Sequence, residues 1–459
     1  MFFIVSVFFL ALSAFIVLYS LGYKIDWRTR TITQTGALYI KAVPPSATIY
    51  IEGQPTKRTS IFAGSALISD LFPGNYKVRI EKEGYSPWEK ILEIRANEAA
   101  EAKNVFLFPS EIIFRITNTS VKNAWLAPNG IYAVLLEETD AGSQLVFWDT
   151  RANAKTLLRR LSSPKESIAR VQWSSDSSRI LIQALQDAVE SAFVASSSPQ
   201  VKLWCEELIC PVILDASEAK TVQFSPVSSN RLLALQKLPG ARAVTEIDYI
   251  TQEHFSFWGT NVLAFFVDQN KLYWLEQDGS LWVKELAFAS SPQHAVQTSF
   301  VIQPGKTYDI FSFKNRIFVK ENSNLFVYVQ RQETFSRIAD NVTSLIPAPD
   351  YEKLLVINGS ELWVYYLQDQ MEAPRKKKGA FVFLNRFNER LHSPLWITGG
   401  YVAFLTGDTL KIAEIDDRSN INTYTVLDEP QSKTLWLNET KTFLIATPKG
   451  LMTSERIIR

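Results

Sequence analysis

Hydrophobic and polar residues alternate in short runs through most of this chain, and only the first segment departs from that pattern. The run from Phe2 to Gly22 is apolar and uncharged, and as a helix its 21 residues would span about 31 Å, close to the ~30 Å hydrocarbon core of a bilayer. No basic residues precede the run, and it is longer than the apolar core of a secretory signal peptide. The pattern predicts a retained transmembrane anchor at 1–23, followed by a polar linker at 24–35.

The charges beside this apolar run leave its orientation open. Lys24, Arg28 and Arg30 follow the run, and the positive-inside rule then favours a cytoplasmic position for the rest of the chain. The rule weakens when a long domain is translocated. The flank alone is therefore compatible with a scaffold that faces the cytoplasm and with one that faces away from it.

Residues 36–97 alternate between apolar and polar positions in runs of five to seven residues. Glycine and proline separate these runs, as at Pro44-Pro45, Pro73-Gly74 and Gly84-Tyr85. Short alternating strands with such turns are typical of an antiparallel β-sandwich.

The same segment resembles the PEGA domain family. The landmarks that match are Gly36, Pro45-Ser46-Ala47, the strand end from Tyr50 to Gly53, Leu71 to Gly74 with Tyr76, and Gly84-Tyr85. The tetrapeptide that names the family is altered here to Pro44-Pro45-Ser46-Ala47. The resemblance implies a surface module outside the cytoplasm, with no catalytic residues to carry over. It therefore favours an extracytoplasmic position for the bulk of the chain, although the basic residues after the apolar run favour a cytoplasmic one.

From residue 105 to residue 459 one unit recurs: an apolar strand with a large aromatic or aliphatic residue, a polar turn, and further apolar strands. The equivalent large residues lie about 44 positions apart, the period of propeller blades; they are Trp125, Trp173, Phe224, Phe265, Phe311, Ile346, Trp396 and Trp436. Eight units predict an eight-bladed β-propeller, with seven blades as the alternative if one unit is split. The turns at Trp173 to Ser177 and Phe224 to Pro226 resemble TolB-type repeats, and WD-type repeats match less well.

The two ends of the repeat region suggest how the ring closes. The last unit ends near Ser454 and leaves little chain for an outermost strand. The apolar stretch from Glu111 to Ile116 precedes the first unit and has no other partner. We therefore expect this stretch to pair into the last blade and to protect an edge that would otherwise be open. Deletion of 105–116 should then lower the melting temperature sharply.

Composition narrows the classes of function. The chain has 48 Lys+Arg and 47 Asp+Glu, and this balance argues against a nucleic-acid-binding protein. His254, His294 and His392 lie far apart in sequence, and with two cysteines they offer little material for a metal cluster. No nucleophile elbow, zinc-protease helix, P-loop or dinucleotide motif is present. We therefore assign no catalytic, cofactor-binding or metal-binding residues.

Two cysteines form the first candidate site. Cys205 and Cys210 flank a predicted turn, and their spacing permits a disulfide if the Cα atoms lie within ~7 Å. An oxidising compartment would favour the bond. Two unbonded strand cysteines are the alternative.

A run of four basic residues forms the second candidate site. The run Arg375, Lys376, Lys377 and Lys378 follows Pro374 in a loop between strands. A solvated loop is one interpretation. A contact for anionic envelope polymers or lipid head groups is the other.

Together these patterns predict a single-pass protein of the cell membrane whose bulk is extracytoplasmic: a small PEGA-like sandwich followed by a propeller head. We expect a non-catalytic scaffold that binds an envelope protein or a cell-wall glycan, because propellers commonly present loops as binding surfaces. The alternative is a hydrolase or lyase that acts on envelope polymers in the propeller channel. Convergent carboxylates or a metal in the channel would favour that alternative.

Overall fold

The structure is a computed structural model. It describes residues 2–27, 30–163, 165–187, 189–197, 209–212, 222–287, 293–296, 300–431 and 433–458.

The first element is an α-helix, α1 (Phe2–Ser20), of 19 residues. It ends before Gly22, whose φ of +82° turns the chain into a hairpin of β1 (Tyr23–Asp26) and β2 (Thr31–Gln34). None of the helical segments among the described residues reaches the length and hydropathy that a bilayer crossing requires. The predicted transmembrane anchor at 1–23 is therefore wrong. The helix ends at Ser20, before the apolar run ends at Gly22, and the hairpin begins at Tyr23 and includes most of the predicted linker.

A β-sandwich of two sheets follows the hairpin. Its strands are β3 (Gly36–Val43), β4 (Thr48–Ile51), β5 (Gln54–Arg58), β6 (Ser65–Leu71), β7 (Gly74–Glu81), β8 (Trp88–Ile94) and β9 (Ala99–Phe106). One sheet has the order β6-β3-β9 and the other the order β5-β4-β7-β8. Alternate residues of both sheets, such as Leu38, Ile40, Val78 and Ile80, are buried between them, as period-2 strands require.

The sandwich extends further along the chain than the predicted boundary at residue 97. β9 runs parallel to β3, from the pair Ala37 and Ala99 to the pair Val43 and Phe106. The sequence of β9 begins with alanines and has few β-branched residues, so it carries a weak strand signal. Pairing with the neighbouring strand, rather than local propensity, makes this segment a strand.

The remaining strands form eight four-stranded antiparallel sheets within the described residues. A single strand, β10 (Phe114–Asn118), precedes them. Blades one to four comprise β11 (Val121–Leu126), β12 (Tyr132–Thr139), β13 (Gly142–Asp149), β14 (Ala154–Arg160), β15 (Ser167–Trp173), β16 (Arg179–Gln186), β17 (Val189–Ser196), β18 (Ile209–Val212), β19 (Val222–Ser225), β20 (Ser228–Leu238), β21 (Ala241–Asp248), β22 (His254–Trp258), β23 (Val262–Asp268), β24 (Lys271–Glu276), β25 (Leu281–Glu285) and β26 (Gln293–Val296). Blades five to eight comprise β27 (Tyr308–Phe313), β28 (Arg316–Glu321), β29 (Asn324–Val329), β30 (Thr334–Ala339), β31 (Val342–Pro347), β32 (Lys353–Asn358), β33 (Glu361–Tyr366), β34 (Phe381–Arg386), β35 (Leu391–Thr398), β36 (Tyr401–Thr406), β37 (Thr409–Glu414), β38 (Thr423–Asp428), β39 (Lys433–Leu437), β40 (Thr442–Thr447) and β41 (Gly450–Ser454).

Hydrophobic clusters lie between successive blades and show that the ring is closed. Phe147 of blade one and Trp173 of blade two share one cluster. Val121 of blade one and Leu444 of blade eight share another, so the last blade packs on the first. Each sheet therefore buries its faces against two neighbours, which is how propellers are stabilised. The ring has eight blades among the described residues, as the repeat spacing predicts.

The strand β10 completes blade eight. It pairs with β41 in antiparallel register, with Arg115 opposite Thr453, and is the outermost strand of the order β10-β41-β40-β39. The predicted pairing of this segment into the last blade is confirmed for Phe114–Asn118. Gly450 makes the approach possible: its φ is +118°, and an added Cβ would lie 2.2 Å from the carbonyl oxygen of Asn118.

The strand order also fixes which turns share a face of the propeller. The chain reverses at every strand, so the turns between first and second strands and between third and fourth strands emerge on the same face. In blades six and seven these turns are 348–352, 367–380, 399–400 and 415–422. We call this side the docking face, because the sandwich packs against it at blade seven.

Candidate functional site: a cleft at the sandwich–propeller junction

A buried ion pair joins the sandwich to blade seven. Lys90 of β8 places its Nζ 2.7 Å from Oε1 of Glu414, and the two side chains are 0% and 3% exposed. Lys90 Nζ also donates to the carbonyl oxygens of Asp416, at 2.6 Å, and Asn420, at 2.5 Å. Trp88 Nε1 donates to Oε2 of Glu414 at 2.7 Å. Both charges are therefore hydrogen-bonded, which a buried pair requires if it is not to be strongly destabilising.

The environment of Glu414 favours its neutral form more than water does. Burial raises the pKa of this carboxyl above its ordinary value of 4.5, while the charge and hydrogen bond of Lys90 and the backbone N–H of Asn422 act in the opposite direction. Asn422 also accepts from and donates to the backbone of Glu89 across the domain boundary, at 3.4 and 3.1 Å. We call this set, Trp88, Lys90, Glu414 and Asn422, the joint.

Aromatic packing extends the joint toward the propeller core. Tyr401 is buried, and its ring lies 5.4 Å from that of Phe106 and 5.3 Å from that of Phe108. The backbone N–H of Phe106 donates to the Tyr401 hydroxyl at 3.1 Å. Arg418 adds a hydrogen bond to the carbonyl oxygen of Glu101 at 2.7 Å. The sandwich and the propeller are therefore held by a continuous buried interface rather than by a tether alone.

A cleft of about 670 Å³ opens beside the joint. The sandwich contributes residues 102–106, and the propeller contributes the docking-face turns of blades six and seven. Its volume is in the range of small-ligand sites, and it lies at a domain interface, where such sites are common.

Ion pairs hold most of the charged groups that line the cleft. Lys353 Nζ lies 3.1 Å from Asp350 Oδ2, and Arg418 lies 2.6 Å from Asp416 Oδ2. Gly399 lets the neighbouring turn approach this first pair, since an added Cβ would lie 2.6 Å from Asp350 Oδ2. The lining is thus a rigid set of polar groups rather than a collection of free side chains.

Tyr366 is the exception in this lining. The residue is 1% exposed, and its hydroxyl has no hydrogen-bond partner among the described residues. Burial and the nearby carboxylates of Asp417 and Asp416 raise the pKa of this phenol, so it stays protonated at neutral pH. A buried hydroxyl without a partner is costly to the protein, because it has lost its hydrogen bonds to water.

The predicted cysteine site is only partly described. Cys210 is fully buried in β18 and disulfide-bonded. Cys205 lies outside the described residues, so its pairing with Cys210 stays a prediction. His254, His294 and His392 are all exposed. Among the residues described, no three His, Cys, Asp or Glu side chains are grouped so that they could hold a metal ion.

The predicted basic run borders the cleft in the loop between β33 and β34. Lys376 Nζ lies 2.6 Å from Asp417 Oδ2, and Lys377 Nζ lies 3.4 Å from Asp369 Oδ2. The backbone N–H of Lys378 donates to Asp369 at 2.7 Å, and this bond is the main cause of a lowered pKa for that carboxyl. Arg375 is exposed. Acidic neighbours thus occupy part of the run, and its contact with an anionic polymer stays a prediction.

The sequence predicts neither the joint nor Tyr366. One signal for the joint was present. In the strand Trp88–Ile94 the inward positions are Trp88, Lys90, Leu92 and Ile94, so a lysine occupies a core-facing site. A lysine at such a position needs a buried anion. The sequence does not say where that anion lies, and no comparable signal marks Tyr366.

Comparison with known proteins supports the division into two parts. Residues 35–106 match the PEGA domain, which agrees with the sandwich described above. No curated protein matches the chain by sequence.

Solved structures similar to this chain include one that is described as a β-propeller domain. The computationally designed Ika8 protein shares 12% identity, with a TM-score of 0.46, over 75% of this chain and 98% of its own. The Cps50 (Swd1) β-propeller domain of Myceliophteria thermophila shares 14% identity, with a TM-score of 0.44, over 76% and 99%. Hsv2 of Kluyveromyces lactis shares 8%, with a TM-score of 0.43, over 68% and 98%. The described residues thus form a sandwich that matches the PEGA domain and a propeller of eight blades, and the blade count rests on the chain's own sheet topology. The TolB type of the repeats stays a prediction.

Proposed function

We propose that this protein is a binding scaffold of the cell envelope, and that its binding site is the cleft between the sandwich and blades six and seven. One observation carries the proposal: the joint fixes both walls of the cleft. A site whose walls are already held in place loses little conformational entropy when a ligand binds. The sandwich therefore acts as a wall of the site as well as a spacer.

We place the scaffold outside the cytoplasm. The PEGA match and the bonded state of Cys210 support this location, because disulfides persist in oxidising compartments. The ligand is an envelope protein or a cell-wall glycan. Digestion of intact cells with an added protease tests the location: the propeller should be cut, and its protection would contradict the proposal.

We also propose that the cleft binds its ligand without chemical conversion. Glu414 of the joint and the neighbouring Asp416 are held in ion pairs by Lys90 and Arg418. A general acid or base needs a carboxyl that can reach the reacting atom and exchange a proton with it. Held in fixed pairs, these two carboxylates instead suit recognition.

The test of the site fills the cleft and measures binding. In the variant Gly400→Trp, a large side chain is added at a turn where a Cβ would face Asn104 at 3.9 Å across the cleft. A matched control, Asn388→Trp, places the same side chain between β34 and β35, on the face opposite the docking face. We expect wild type and the control to bind a solubilised envelope-protein fraction or purified cell-wall glycan, and Gly400→Trp to lose that binding. Equal binding by all three would exclude the cleft as the site.

A further inference from the structure

The charged residues that line the cleft are mostly acidic. Six carboxylates and three basic groups contribute to its walls, so the lining alone attracts cations more than anions. The acidic residues are Asp350, Glu352, Asp369, Glu372, Glu414 and Asp416, and the basic residues are Lys103, Lys353 and Arg418.

The three basic groups are already occupied. Lys103 lies 2.9 Å from Glu101, and Lys353 and Arg418 form the two pairs described above. None of them offers a free cation to a ligand. An anionic ligand would therefore have to displace an internal partner, and its binding is disfavoured.

Two carboxylates at the rim are not matched in the same way. Glu352 reaches Lys353 only at 3.9 Å, and it shares that lysine with the closer Asp350. Glu372 is exposed and has no ion-pair partner within 4.0 Å among the described residues. Among the lining residues, Glu352 and Glu372 thus stay without a close counter-ion. The neighbouring basic run lies outside the lining, and its Lys376 and Lys377 pair with Asp417 and Asp369.

Tyr366, which lines the same cleft, is a second, independent feature, because its buried hydroxyl has no partner within the part of the chain that the structure describes. Its oxygen can accept a hydrogen bond from a ligand N–H. The carboxylates of Asp416 and Asp417, which act on this phenol, make its surroundings electronegative. A positively charged donor therefore fits this part of the lining better than a neutral or an anionic one.

Resting on the proposed function, we propose that the cleft binds a basic segment of a partner protein, in which one arginine or lysine side chain donates to Tyr366 and neighbouring cations pair with Glu352 and Glu372. The partner's cationic groups then replace the water that now solvates the two rim carboxylates. Such an interaction weakens with rising salt concentration, because the rim is exposed to solvent.

The test uses the full chain and a fluorescein-labelled tetra-arginine peptide, with tetraglutamate and chitotetraose as comparison probes. We expect tetra-arginine to bind and tetraglutamate not to bind. The double variant Glu352→Gln, Glu372→Gln should weaken tetra-arginine binding by about tenfold, as expected for the loss of charge-assisted bonds. The control Glu389→Gln removes an exposed carboxylate from the opposite face of the same blades and should change binding less than twofold.

A second variant separates a binding role of Tyr366 from a structural one. Tyr366→Phe removes only the hydroxyl, and we expect about fivefold weaker tetra-arginine binding with an unchanged or higher melting temperature, because an unpartnered buried group is lost. A lower melting temperature would show that the hydroxyl already serves the fold, for example through a bound water molecule. That result would overturn its assigned role.

The remaining outcomes distinguish this inference from the proposed function. If tetra-arginine binds the double glutamine variant as tightly as wild type, the cationic site is excluded. If only chitotetraose binds, and Gly400→Trp abolishes it, the cleft is a glycan site and the basic-peptide inference fails while the scaffold proposal stands. If no probe, envelope protein or cell-wall glycan binds in a way that Gly400→Trp affects, both fail.

Discussion

The residues that precede blade one meet the ring at two places, and the two contacts differ in kind. The first contact, which we call the latch, is the backbone pairing of β10 with β41. At the joint, the side chains of Lys90 and Trp88 meet Glu414, and Lys90 also donates to two backbone carbonyl oxygens. Backbone pairing at the latch requires few particular side chains apart from Gly450, whereas the joint requires a buried cation, a buried anion and their polar partners. The latch closes the ring, and the joint decides where the sandwich sits on it.

Breaking the joint should have the largest effect on stability. The variant Lys90→Met leaves Glu414 buried without its counter-ion, and removal of one partner of a buried pair costs about 3–5 kcal/mol. The free energy of unfolding from denaturant titration measures the loss. Lys77→Met is a matched control on the neighbouring strand, where the Lys77–Glu89 pair is exposed; it should cost less than about 1 kcal/mol. Equal losses in both variants would show that the joint contributes no more than a surface pair.

Breaking the latch should cost somewhat less. In Gly450→Ala the new Cβ would collide with the backbone of Asn118 and Thr119, and the residue would keep an unfavourable positive φ. We expect a loss of about 3 kcal/mol from overpacking and strain together. Gly130→Ala is the control, since its φ of +71° is also positive but no atom lies within 4 Å of an added Cβ. It should cost about 1 kcal/mol. Similar melting temperatures for the two variants would contradict a close approach at the latch.

The pH dependence of Lys90→Met distinguishes the joint from the latch, because only the joint depends on charge. Burial raises the pKa of Glu414 in the folded protein above its ordinary 4.5. The folded state then holds this proton more tightly than the unfolded state, so stability falls as pH rises from 4.5 through the raised pKa. The charge of Lys90 lowers the pKa of Glu414, so its loss raises that pKa further and widens the pH range over which stability falls. Lys90→Met should therefore lose more stability at pH 8 than at pH 5, and Lys90→Met with Glu414→Gln should lose this difference. A loss that does not change with pH would argue against an ionised Glu414 at the joint.

The basic run gives the smallest expected effect and tests whether surface charge contributes to either contact. Replacement of Arg375, Lys376, Lys377 and Lys378 by serine removes the partly buried Lys376–Asp417 pair and the exposed Lys377–Asp369 pair. The exposed pair contributes about 0–1 kcal/mol. Cell fractionation tests the other interpretation of this run. Unchanged association of the serine variant with the envelope would rule out a contact with anionic polymers.

The strands and the latch could be predicted because they depend on patterns. Alternation in residues 36–97 predicts the sandwich, a recurring large residue such as Trp173 or Trp396 predicts the blades, and an unmatched apolar stretch predicts β10. These patterns survive many substitutions, since backbone pairing and burial require a residue class rather than one residue. The segment Ala99–Phe106 was missed because its strand depends on a partner and not on its own composition.

The joint and the cleft could not be predicted in the same way. Lys90 and Glu414 lie far apart in sequence, and nothing local connects them. The cleft is made of turns from two blades and one sandwich strand, so it exists only after the domains pack together. The prediction of a transmembrane anchor was wrong because composition alone does not give the length of the helix. The helix ends at Ser20, and the chain turns at Gly22.

The position of β10 also has a consequence for synthesis. The latch strand leaves the ribosome directly after the sandwich, whereas its partner β41 is made at the other end of the propeller. At ~5–20 residues per second, β10 waits on the order of tens of seconds for β41. Every other blade can form from strands made one after another, but blade eight must pair the oldest propeller strand with the newest. Chains interrupted before Gly450 would therefore carry a nearly finished ring with two open edges, a form that quality-control proteases could recognise.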